Sequence, residues 1–189
     1  VADGVPGGAT ADDAIVTARL LQQAGADMLV LSGGRNMESG WFMFGSNFDM
    51  DEMKKVLKGS WLTGLMMKLS QIGTPKVQFR EMYFLEYSRQ IRAAVDIPLA
   101  YLGGARSLAN AEQAMAEGFE AVVMARPLIH DSQFVNKLQR GEVKASGCIN
   151  CNRCIPYIYH PAGTMCVMNP PNDVALNRVR AGADEGTAA

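Results

Sequence analysis

Apolar and polar positions alternate between two periods along this chain. Ala14, Ile15, Ala18, Leu20 and Leu21 recur at helical spacing behind Thr10-Ala11-Asp12-Asp13, a capping-box pattern with Asp in place of Glu. Gly25 closes that helix where a left-handed residue is needed. Met28-Leu29-Val30-Leu31 then runs apolar without a break, as suits a strand buried on both faces of a parallel sheet, and stops at Ser32-Gly33-Gly34. The same signals return later. Ser107 caps a helix carrying Ala109, Ala111, Ala114 and Met115, Gly118 closes it, and Ala121-Val122-Val123-Met124 follows, ending in Ala125-Arg126-Pro127. Between the two units lies a third strand, Leu99-Ala100-Tyr101-Leu102, preceded by a helix predicted over 83–94 and followed by Gly103-Gly104. A last helix is predicted over 133–140. Alternation of helix and strand in this order implies an α/β fold with a parallel sheet and right-handed crossovers.

Residues 35–75 break the rhythm. Most strand-to-helix loops have a few residues, whereas this one has about forty, rich in Met, Phe and Trp, with a helix predicted over 50–57. Trp41, Phe42, Phe44 and Trp61 suit the wall or lid of a site for an apolar, planar ligand. Lys54, Lys55 and Lys58 read as a solvated helix face. From 172 to 189 the chain turns polar and rich in Ala and Gly, the composition of a disordered tail.

The chain has 189 residues, 48% of them hydrophobic and 20% charged, with a formal net charge of −1. That suits one globular domain and gives no electrostatic case for nucleic acid or an anionic membrane. No apolar run approaches the ~20 residues needed to span a bilayer. The opening Val1-Ala2-Asp3-Gly4 lacks an initiator methionine and reads as an internal start, so the chain is expected to be a piece of a longer protein.

The cysteines carry the strongest chemical signal. Cys148, Cys151, Cys154 and Cys166 are the four in the chain, spaced C-x2-C-x2-C-x11-C. A secreted disulfide framework is a poor fit to a chain of low cysteine content and large aliphatic core. Three clustered thiols plus one returning after a loop can hold a [4Fe–4S] cluster, or a structural zinc ion as the alternative. Cysteines in a metal pattern also suit a reducing cytoplasm. His160 lies within this loop and could add a hydrogen bond or a ligand.

Ligands of parallel α/β folds bind at the carboxyl ends of the strands. Here those ends read Ser32-Gly33-Gly34, Gly103-Gly104-Ala105 and Ala125-Arg126-Pro127. Glycines let backbone N–H groups approach an anion, and Arg126 adds a fixed charge with several donors, so a phosphate is the expected ligand. The bland alternative is that the glycines only turn the chain and Arg126 pairs with a surface carboxylate. His130 reads as a surface or capping residue, and Asp27 and Glu120 precede strands, where they would stabilise rather than catalyse. No nucleophile–base pair, Walker loop or G-x-G-x-x-G is present, so the catalytic residues stay unassigned.

Several stretches resemble one family. Ala24-Gly-Ala-Asp-Met-Leu-Val-Leu-Ser-Gly-Gly34, Val123-Met-Ala-Arg-Pro-Leu128, the cysteine run with Val167-Met-Asn-Pro170, and Arg80-Glu-Met-Tyr-Phe-Leu-Glu86 together look like the carboxyl-terminal half of the flavin barrel of the old yellow enzyme family. The likeness covers residues 3–171 and is greatest to bacterial NADH:flavin oxidoreductases and 2,4-dienoyl-CoA reductases. It implies a TIM (β/α)8 barrel of which this chain supplies strands six to eight over 1–146, with the insertion at about 35–75 and a metal-cluster segment over 147–171. It implies FMN bound by Ser32, Gly103, Gly104, Ala125 and Arg126, and a [4Fe–4S] cluster on Cys148, Cys151, Cys154 and Cys166. The flavin would take hydride from NAD(P)H and pass it to an electron-poor alkene or similar small-molecule acceptor. The alternatives are a non-catalytic, zinc-stabilised module, or another phosphate-binding barrel enzyme, against which the lack of a lysine or carboxylate at any strand end argues. Two residues separate the second and third cysteines where the dienoyl-CoA reductases have three. The loop Arg35-Asn36-Met37-Glu38 lacks the histidine they carry, so dienoyl-CoA reduction itself is not implied. Three strands cannot close an eight-stranded barrel, so the missing first half is an expected partner and the isolated chain is expected to be inactive.

Overall fold

The computed structural model describes residues 1–36, 38–57, 60–70, 72–161 and 163–170, the side chains of Lys68 and Ser70 excepted. Lys58 and the tail from 172 onward lie outside the described residues. Helix α1 (Ala11–Gln23) leads into strand β1 (Leu29–Leu31). The insertion carries α2 (Gly40–Met43), α3 (Met50–Val56) and α4 (Trp61–Ser70). Helix α5 (Leu85–Arg92) precedes β2 (Leu99–Leu102), and α6 (Leu108–Ala116) precedes β3 (Ala121–Val123). Helices α7 (Arg126–His130) and α8 (Phe134–Gln139) follow, and a 3₁₀ turn spans Ile155–Tyr159 in the cysteine segment. The three strands are parallel in the order β1-β2-β3, with Tyr101 paired to Leu31 on one side and Val122 on the other. This small parallel sheet in a mixed α/β chain is consistent with part of a barrel.

Local signals explain the frame. The Thr10 hydroxyl accepts from the Asp13 N–H at 3.3 Å while the Asp13 carboxylate accepts from the Thr10 N–H at 2.8 Å, a reciprocal cap on α1. Ser107 caps α6 by accepting from the Asn110 N–H at 3.1 Å. Leu99 and Tyr101 of the central strand are fully buried, and the Tyr101 ring lies 5.5 Å from Phe119. Phe84, Ile91 and Ala114 bring α5 and α6 onto the same core. Glu120, as expected of its place before a strand, accepts from the Leu99 N–H at 2.7 Å.

The first strand departs from expectation. It was predicted to be covered on both faces, yet Val30 is 53% exposed and only Leu31 is buried. Leu20 and Leu21 of α1 are exposed with it. The reason is position: among the described residues β1 is an edge of the sheet and pairs with β2 alone.

The insertion also differs from a simple apolar cover. Its middle is tied to the cysteine segment by polar side chains. The Asn152 amide donates to the Ser46 carbonyl at 3.0 Å, the Ser46 hydroxyl at 2.9 Å and the Asn47 carbonyl at 3.2 Å. Arg153 donates to Glu52 through Nε at 2.9 Å and Nη2 at 2.7 Å, and the Tyr157 hydroxyl donates to the same carboxylate at 3.2 Å. A second set of ties starts the cysteine segment from the β2–α6 loop: Arg106 Nη2 donates to the Ser146 carbonyl at 2.6 Å, and the Ser146 hydroxyl accepts from the Cys148 N–H at 3.1 Å. Among the described residues no helix is long and apolar enough to cross a membrane.

Candidate functional site

Ser32, Gly103, Gly104, Ala125 and Arg126 come from three different strand ends and line one cavity of about 330 Å³. Its other walls are mostly apolar, with Met43 and Phe44 from the insertion, Tyr83 from the turn before α5, and Ile155 and Ile158 from the cysteine segment. Of the four aromatic residues expected in the same wall, Phe44 lines it and Trp41, Phe42 and Trp61 do not; Trp61 is 75% exposed on α4. From the insertion, Met43 and Phe44 reach this cavity.

The glycine turn has a packing cause of its own. Gly103 and Gly104 have φ of +142° and +83°, in the region that side chains rarely adopt. A Cβ on Gly103 would lie 2.7 Å from the Phe84 Cβ, and one on Gly104 would lie 2.7 Å from the Tyr83 ring. The Tyr101 hydroxyl, donating to the Gly103 carbonyl at 2.7 Å, fixes the turn from below. Tyr83 donates to the Met43 carbonyl at 2.8 Å and so joins the turn to the insertion. Burial pushes the Tyr83 phenol above its ordinary value, with the Arg126 guanidinium pulling against it.

Arg126 follows neither sequence reading in full. It is 9% exposed, so it is no surface residue, and among the described residues no carboxylate lies at salt-bridge distance. Its Nη1 donates to Asn152 Oδ1 at 2.6 Å, and its guanidinium stands 5.4 Å from the centre of the Phe79 ring. Arg126 thus presents a buried positive charge to the cavity without a carboxylate counter-charge. Together with the glycine turn and the apolar walls, that set fits a ligand with an anionic end and an apolar body.

Arg126 also borders a second, tighter cavity of about 10 Å³. All four cysteines line it, with His130, Asn150 and Asn152. None of the four is in a disulfide. Asn150 and Asn152 have φ of +55° and +59°, and these left-handed residues turn the C-x2-C-x2-C run. Burial raises the Cys148 thiol above its ordinary value, and burial followed by the neighbouring cysteines pushes Cys154 up to about 11. A bound cation reverses that preference by stabilising thiolates.

Among the described residues no group of three or more His, Cys, Asp or Glu side chains is arranged to hold a single metal ion. A zinc ion needs its sulfurs about 2.3 Å from one point. A four-iron cluster is held by four cysteine thiolates. Four disulfide-free cysteines on one cavity are a donor set that fits a soft, thiolate-held metal group.

His130, read from sequence as a surface or capping residue, lines this second cavity. Its Nδ1 lies 3.4 Å from Cys166 Sγ, and a Cβ on Gly147 would come within 2.6 Å of its Nε2. The signal was available: His130 stands one helical turn after Arg126 on α7. His160 lies outside both cavities, with its ring 5.6 Å from that of Tyr157.

No family model matches the chain. It is similar to a 4,4'-dithiodibutanoate disulfide reductase from Rhodococcus erythropolis, 38% identical over 170 residues that make up 89% of this chain and 41% of that protein. It is also similar to a bilirubin reductase from Mediterraneibacter gnavus (strain CC55_001C), 31% identical over 106 residues, 54% of this chain and 16% of that one. The chain therefore spans less than half the length of the curated relatives it matches. Both relatives are named as reductases, and the similarity supports an oxidoreductase family.

Proposed function

We propose that this chain is part of an FMN-dependent oxidoreductase, contributing strands six to eight of a (β/α)8 barrel, the phosphate end of the flavin site and the ligands of an adjacent [4Fe–4S] cluster. The observation that carries the reading is the convergence of three strand ends on one cavity with the buried, carboxylate-free guanidinium of Arg126. The reductase names of the relatives support the same class.

In this reading Gly103 and Gly104 turn the backbone toward the phosphate, Arg126 supplies its counter-charge, and Ser32 and Ala125 complete the rim. Met43, Phe44 and Ile155 exclude water from the ring end. Bound there, a flavin would supply hydride exchange between NAD(P)H and an electron-poor alkene or similar acceptor. A disulfide or bilirubin, the acceptors in the relatives' names, are candidates of that wider kind. Cys148, Cys151, Cys154 and Cys166 would hold the cluster, and Asn152 would keep their loop against the insertion.

The test is composition and turnover of the full-length protein, purified without oxygen. Bound FMN, about four irons per chain and oxidation of NADH or NADPH on adding an acceptor are the expected results. Zinc without flavin would instead make this a metal-stabilised, non-catalytic module, and a protein with neither would contradict both.

A further inference from the structure

Asn150 stands between two cysteines yet lines the mouth cavity as well as the cysteine cavity. It is 5% exposed, and among the described residues its Nδ2 has no hydrogen-bond partner. Among the described residues its Oδ1 has only a long contact, 3.9 Å, from Cys148 Sγ. A buried amide with two unused N–H groups is unfavourable, and such groups are rare in folded proteins unless something outside the chain satisfies them.

Asn152 provides the comparison. It has nearly the same left-handed backbone and is equally buried, but its amide is fully used by Arg126, Ser46 and Asn47. Glycine adopts a φ of +55° with less strain than asparagine does. At Asn152 the side chain repays that strain with structural bonds. At Asn150 no such bond exists among the described residues, and none of the hydroxyls that share the cavity lining, those of Ser32, Tyr83 and Thr164, is bonded to its Nδ2.

We infer that Asn150 is a binding residue of the mouth cavity, whose side-chain amide donates to an oxygen acceptor of the flavin held there. The inference rests on the FMN reading above and adds a contact from the cysteine segment to it. Because Asn150 is flanked by Cys148 and Cys151, one short loop then touches both groups.

The experiment titrates FMN and, separately, riboflavin into the flavin-stripped full-length protein by fluorescence quenching, with metal content and circular dichroism measured in parallel. Asn150→Gly keeps the left-handed backbone without strain and removes the amide. It should weaken FMN binding about 3- to 10-fold, the loss of one hydrogen bond, with metal content and dichroism unchanged. Asn150→Asp keeps the shape but replaces the donor by an acceptor, and should weaken FMN at least as much. A loss that persists with riboflavin supports the inference with the acceptor on the ring or ribityl chain; a loss seen with FMN alone supports it with the acceptor on the phosphate.

Parental affinity in both variants would overturn the inference. So would parental affinity in Asn150→Asp alone, because the group facing the cavity would then be an acceptor. Loss of metal with flavin affinity intact would overturn it too, assigning the amide to the thiolates. A parent protein that fails to bind FMN sinks the FMN reading and this contact together, whereas a parent that binds FMN beside indifferent variants sinks the contact alone.

Discussion

The sheet with its flanking helices and the unit formed by the insertion with the cysteine segment are held together differently. The first is a matter of apolar burial: Leu99, Tyr101, Phe84 and Phe119 share one core, and α1 and α6 beside it are set by short-range caps. The second depends on directional bonds between residues far apart in sequence. Glu52 and Arg153 are 101 positions apart, Ser46 and Asn152 106, and both ties are part-buried. Burial of area tolerates a change of shape when volume is kept. A buried polar tie does not, because removing one partner strands the other away from water. The cysteine loop is therefore expected to be the more fragile of the two regions.

Arg153→Met should have the largest effect. It leaves the Glu52 carboxylate, 4% exposed, with Tyr157 and a Lys55 ammonium at 3.8 Å as its remaining support. Glu52 is buried while the Arg153 side chain is 36% exposed, so a lower urea midpoint of the full-length protein is expected from stranding the carboxylate, together with faster labelling of the four thiols. Adding Glu52→Gln should return part of that stability. If Arg153→Met unfolds at the parental urea concentration, the polar tie does not hold the loop. Gly104→Ala comes next: a φ of +83° and a ring atom 2.7 Å from the new Cβ should cost about 1–3 kcal/mol, and FMN affinity should fall with it.

The smallest effect belongs to the frame. Thr10, through its N–H and then its hydroxyl, holds the Asp13 carboxyl below its unfolded value of 3.8. A lowered folded-state pKa gives a stabilisation present above that value and lost as the pH falls through the folded one. Asp13→Asn should flatten this acid limb of the melting temperature and leave the four thiols as slow to label as in the parent. An unchanged acid limb would remove the capping box from the account.

The difference between the regions also explains what could be read in the sequence. Strand β2 occupies the residues its apolar run marked, and α1 and α6 have the caps that Thr10 and Ser107 announced. The five rim residues were legible because glycine and arginine at strand ends are local patterns, and the structure brings them onto one cavity. The four cysteines line one cavity for the same reason: their spacing is short. Long-range partners left no such mark. Nothing near Glu52 points to Arg153, and nothing near Arg126 points to Asn152, so neither pairing is marked in the sequence. The exposure of Val30 was missed because a four-residue apolar run has no information about which edge of the sheet it occupies.

The claim that the mouth cavity grips an anionic flavin tail is tested most directly by comparing FMN with riboflavin. Their affinities are measured in the full-length protein and in Arg126→Met. FMN should bind about tenfold or more tightly than riboflavin in the parent, as a charged hydrogen bond allows, and the gap should close in the variant. Equal affinities in the parent, or a gap that survives the loss of Arg126, would contradict it.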